Sequence, residues 1–101
     1  MAVIDVRITK NGQLKPSLDP VPLSKSKGET INWHNDSGTD IQIDFTNGTP
    51  FPGSLNPYDI KAGGQKNSGP IQAQPNPRKT WDYTIRASSG AVADPGVIIQ
   101  Y

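Results

Sequence analysis

The sequence predicts an all-β fold, an antiparallel Greek-key β-sandwich, on three observations. Apolar residues recur with period two, the spacing that puts alternate side chains on one face of a strand. Ten glycines and ten prolines are spread through 101 residues, so that no helical stretch of ten residues survives. The runs between them are short and rich in β-branched and aromatic residues, as in two packed sheets joined by tight turns.

Each element follows from its pattern. In "VIDVRIT" (3–9), Ile4, Val6 and Ile8 take one face while Asp5, Arg7 and Thr9 take the other. In "ETINWHN" (29–35) the inward set holds Ile31 and Trp33, which turns Thr30, Asn32 and His34 outward. "DIQIDF" (40–45) alternates without error, with Ile41, Ile43 and Phe45 inward. "TWDYTIRA" (80–87) repeats it with Trp81, Tyr83, Ile85 and Ala87. The chain closes on "GVIIQY" (96–101), a β-rich run that suits a strand covered on both faces. The intervening "KNGQ", "NDSG", "TNGT", "KAGGQ" and "NPRK" supply positive φ or a preset proline φ. The two tryptophans are the expected inter-sheet core. The one long irregular stretch, 46–68, is rich in Gly, Pro and Asn; a loop of that length in a compact domain is either functional or partly structured.

Composition narrows the function. A chain of 101 residues, 1–101, makes one domain. Cysteine is absent, which removes disulfides, thiolate nucleophiles and thiolate metal sites. Ten basic and nine acidic residues are interleaved, and no basic cluster exceeds the pair Arg78-Lys79. Nucleic-acid binding and binding to an anionic membrane through a basic patch are therefore not expected. No apolar run approaches the ~20 residues of a membrane helix. "MAVIDVRIT" runs straight into strand alternation without the layout of a signal peptide. The expected location is cytoplasmic if the chain is complete, and periplasmic or secreted if an export signal was removed.

Gly28-Glu29-x-Ile31-x-x-x-Asn35, followed by a short turn and a strand ending in Phe45, resembles a strand pair of the plastocyanin-like cupredoxins. The late segment "KTWDYTIRASSGAVADPGVIIQY" is similar to the other half of that family's copper site: an aromatic strand, a ligand loop and a final strand. An immunoglobulin-like sandwich is the alternative fold, because G-E-x-I and alternating strands occur there too. The resemblance implies that the first copper-ligating histidine would fall at Ile41 and the cysteine at Ile85. The loop for the second histidine and the methionine would be 86–96, which contains neither. A blue-copper site needs a thiolate and two imidazoles in a trigonal set with a weak axial ligand. This chain has no cysteine and a single histidine, His34. No copper and no other cofactor is expected, and the isoleucines fit a site filled with hydrocarbon, since an empty polar pocket would bury unpaired groups.

No catalytic residue is expected, and the chain is not read as an enzyme. His34 lies on an outward strand face, and Asp40 and Asp44 stand about 13 Å apart on theirs, too far for an acid/base pair. The run Asn35-Asp36-Ser37-Gly38-Thr39-Asp40 offers hard oxygen ligands but lacks the spacing of a calcium loop. Asn35-Asp36-Ser37 and Asn47-Gly48-Thr49 match glycosylation acceptors. What remains is surface. Phe51 stands between two prolines and Tyr58 follows another, and a stiffened loop holds an aromatic ring with little entropy left to lose. Phe51 and Tyr58 are thus the candidate partner-binding residues, with Tyr58 expected to pack inward and Phe51 to show part of its ring. The leading expectation is a non-catalytic, copper-free module for protein interaction or assembly, its partner another protein or its own copies. The alternative is a small-ligand or carbohydrate-binding domain that uses the loop 46–68.

Overall fold

The computed structural model describes residues 3–72 and 80–100. The turn "NPRK", the pair Arg78-Lys79 and Tyr101 lie outside the described residues. Among the described residues eleven strands follow in chain order: β1 (Val3–Asn11), β2 (Gln13–Pro16), β3 (Val21–Ser24), β4 (Thr30–Asp36), β5 (Ile41–Asp44), β6 (Tyr58–Ile60), β7 (Gln65–Asn67), β8 (Thr80–Asp82), β9 (Thr84–Ala87), β10 (Val92–Ala93) and β11 (Gly96–Gln100). A 3₁₀ turn, Gly53–Leu55, precedes β6.

The first sheet has the order β2-β1-β4-β7, the second β10-β9-β5-β6 and the third β3-β11-β8. The second and third are continuous at Tyr83, the single residue between β8 and β9, whose N–H donates to the Pro95 carbonyl at 3.0 Å. At the other corner the chain leaves the first sheet after β2 and enters the third as β3. The chain thus passes repeatedly from sheet to sheet, and the sheets form a β-sandwich with one enclosed core.

Alternation places most side chains as expected, although Ile4, expected inward, is only half-buried. Val6, Ile8, Ile31, Trp33, Ile41, Ile43, Phe45, Trp81, Tyr83, Ile85, Ala87, Val97 and Ile99 are all buried. Thr30, expected outward, is buried instead; its hydroxyl accepts from the Asn67 amide of the neighbouring strand at 3.1 Å. Ile98 is half-buried, so β11 is only partly covered on its second face. Two pairings are parallel rather than antiparallel: β1 with β4, from Val3↔Thr30 to Thr9↔Asp36, and β3 with β11. Alternation fixes the face of each residue and is silent on the direction of the neighbouring strand. A chain that crosses between sheets before returning can come back beside its starting strand in the same direction.

Trp33 is the hub of the core. Its ring lies 4.9 Å from Tyr58, 5.7 Å from Tyr83, 6.2 Å from Phe51 and 6.3 Å from Phe45, centroid to centroid. These are the tilted and edge-on separations that aromatic quadrupoles favour. The indole N–H donates to the Tyr83 hydroxyl oxygen at 3.4 Å, so its polar atom has a partner inside the core.

Candidate functional site

Ile41 and Ile85, the positions where the sequence resemblance puts copper ligands, lie within the core. Ile85 faces Ile43 across the β5–β9 ladder, and Ile41 pairs with Ala87, one step along the same face. Ile41 and Ile85 are therefore diagonal neighbours, both buried, and each is surrounded by apolar side chains of its own strand. Hydrocarbon donates no electron pair to a metal. The residues present do not fit a type 1 copper centre, and no step is derived through copper.

His34 lies elsewhere, on the outer face of the first sheet. Its Nε2 is 2.8 Å from Asp5 Oδ1 and 3.2 Å from the Asn32 amide. The His34 hydrogen bond, aided by its charge and by Arg7, holds the Asp5 carboxyl below the usual carboxylate range. No group of three or more His, Cys, Asp or Glu side chains is placed to hold a metal ion among the described residues.

The oxygen-rich turn 35–40 is occupied by its own hydrogen bonds. Asn35, fully buried, donates through Nδ2 to the carbonyls of Thr39 and Ile60, at 2.8 and 2.9 Å. Its Oδ1 accepts from the Ser37 N–H and hydroxyl. Asp40 accepts the Ala62 N–H at 3.0 Å, and that bond, with Lys61 nearby, lowers its carboxyl affinity for protons. These oxygens fasten the turn to the segment after β6, which leaves a calcium ion little to coordinate. Asn35 is also closed to a glycan in the folded state.

The two aromatic residues of the loop are both packed. Tyr58 opens β6 with 1% exposure, and its hydroxyl donates to the Ser68 carbonyl at 2.8 Å. Burial pushes the Tyr58 phenol well above its ordinary range, and Tyr83 behaves alike. Phe51 is 2% exposed, which corrects the expectation that it shows part of its ring. The reason is a clamp: the Asn56 side chain accepts the Phe45 N–H at 2.9 Å and donates to the Phe45 carbonyl at 3.2 Å. The loop is thereby folded over the end of the sandwich, and the Phe51 ring fills the gap beside Trp33 and Phe45. The stretch 46–68 is partly structured, with the 3₁₀ turn, β6 and β7 inside it. Neither ring offers a contact surface.

The concavity that does open to solvent lies at another corner. A cleft of about 540 Å³ separates the β1–β2 hairpin from the link between β10 and β11, with Asn11, Gln13, Lys15, Asp19 and Asp94 among its walls. Sequence reasoning missed it, because turn and edge residues lack a period that would join positions 11–19 to position 94. A shallower depression of about 300 Å³ lies on the outer face of the second sheet, around Gln42, Asp59 and Arg86.

No protein-family model matches the chain. No curated protein matches it either. Among solved structures it is similar to the crystal structure of the blue copper oxidase from Nitrosomonas europaea, with a TM-score of 0.53 and 13% sequence identity. The match covers 98% of this chain and 38% of that one, so the chain spans well under half of that protein's length. At such an identity the likeness is one of fold, and the fold is a cupredoxin-like β-sandwich.

Proposed function

We propose that the chain is a copper-free, non-catalytic module on a cupredoxin-like scaffold, and that it acts by binding a protein partner or by assembly rather than by electron transfer. One observation carries this reading: Ile41 and Ile85, the positions where the resemblance puts a histidine and a cysteine, are buried hydrocarbon on one face of the β5–β9 pair. A site that has lost its donors and kept the surrounding fold supports a role in which the scaffold matters and the metal does not. His34, the one imidazole, is held by Asp5 on the far side of the first sheet. A fold by itself hosts many activities, so the reading rests on these residues.

Titration of the purified chain with one equivalent of Cu(II) tests it. The expected outcome is weak imidazole or amide coordination without an intense thiolate-to-copper band in the visible, because that transition requires a cysteine ligand. A reversible one-electron couple at a copper bound within a single chain would overturn the proposal.

A further inference from the structure

We propose that the cleft between the β1–β2 hairpin and the β10–β11 link binds a small zwitterion: an ammonium and a carboxylate on a short stem, as in a free amino acid or a dipeptide. This goes beyond the copper-free reading and does not depend on it.

Several polar side chains elsewhere on the surface are paired with one another. Arg7 meets Asp36 at 2.8 Å, His34 meets Asp5 at 2.8 Å, and Asn32 donates to Gln65 at 3.1 Å. The shallow depression on the second sheet is closed in the same way, with Gln42 donating to Asp59 at 3.2 Å and Arg86 to Asp44 at 3.2 Å. The cleft differs. The side chains of Asn11, Gln13 and Lys15 make no hydrogen bond or ion pair with any other described residue, although all three line one concavity.

The walls carry opposite chemistry. The hairpin wall presents the Asn11 and Gln13 amides and the Lys15 ammonium. The facing wall presents two carboxylates, each steadied through one oxygen: Asp19 Oδ1 accepts the Gly96 N–H at 3.0 Å, and Asp94 Oδ1 accepts the Thr84 hydroxyl at 2.9 Å. Buried Leu14 and Pro95 supply apolar surface between them. A ligand carboxylate would be met by Lys15 and the amides, and its ammonium by Asp19 and Asp94, in charge-assisted bonds. The volume lies within the range of small-molecule sites, roughly 300–1,000 Å³. Among the described residues no aromatic side chain lines the cleft, so these walls lack the stacking platform a sugar ring would use.

The test is an amide-resolved NMR titration of the chain with leucyl-glycine and with free leucine, beside N-acetyl-leucine amide and glucose as controls. Saturable shifts confined to residues 9–19 and 93–96 are expected with the two zwitterions. Lys15→Gln and Asp94→Asn should each weaken binding about tenfold, the loss of one charge-assisted hydrogen bond. Both should leave the rest of the spectrum and the unfolding midpoint unchanged. The proposal fails if neither zwitterion gives saturable shifts, if the blocked amide or glucose binds as tightly, or if the two substitutions leave the affinity as it was.

Discussion

Ile85 has no solvent exposure, and Ile43 faces it across the β5–β9 ladder with Ile41 as its diagonal neighbour. Truncation there opens a cavity that the closed sandwich cannot collapse, so Ile85→Ala should cost about 2–5 kcal/mol in denaturant unfolding, with Ile41→Ala in the same range. Phe51→Ala should cost about 3–5 kcal/mol, since its ring is wedged against Trp33 and Phe45. A change below about 0.5 kcal/mol, the size of a surface effect, would mean that the loop is displaced in solution. The buried phenols set a pH limit. Unfolded tyrosines ionise near pH 10, whereas burial raises both Tyr58 and Tyr83 in the folded state. The unfolded chain then releases protons first, and stability falls as pH climbs from about 10 upward. Melting temperatures across that range should show the decline, and Tyr83→Phe should flatten it. Ile41, Ile85 and Tyr58 were legible in the sequence, because each belongs to an alternating run or adjoins one. Phe51 was not: its place is fixed by the Asn56 clamp on the Phe45 backbone, a contact between positions eleven apart that no periodicity announces.

At the scale of elements, the edges explain how an isolated sandwich of this kind is protected from pairing with its copies. β2 ends in Pro16, β3 contains an exposed Pro22, and β6, β7 and β10 are three, three and two residues long. Short and proline-blunted edges offer little backbone for another strand to join. Assembly of the proposed kind should therefore use side-chain surface rather than strand addition at these five edges. The link after β7 depends on one glycine. Gly69 has φ +83°, and a Cβ there would stand 2.9 Å from Leu55 Cδ1 and 3.3 Å from Pro52 Cδ. Gly69→Ala should cost at least about 1–2 kcal/mol for the left-handed backbone alone, read as a lowered unfolding midpoint. Strands β1, β4, β5 and the β8–β9 run were visible as period-two runs, and so were most of their inward faces, whereas the short β2, β3, β6, β7 and β10 were not. Their directions were not, which is why the parallel pairs β1–β4 and β3–β11 emerged only from the structure: either direction buries the same residues.

For the whole molecule, the missing cysteine was readable from residue counts, and it removes a thiolate ligand wherever the chain folds. The cleft was not readable, as it depends on the spatial meeting of a hairpin near residue 12 with a link near residue 94. The places where the chain passes from sheet to sheet, among them the links between β2 and β3 and between β4 and β5 and the corner at Tyr83, have a mechanical meaning. They act as stitches. One sheet cannot slide over, peel from or melt ahead of the others without drawing a covalently continuous strand with it. The slowest amide protons of β1 and β4 should thus exchange with the same free energy as those of β5, β9 and β11, in a single global opening rather than in separate cooperative units. Under load, the molecule should yield in one event, at a force that reports the whole sandwich and not its weakest sheet.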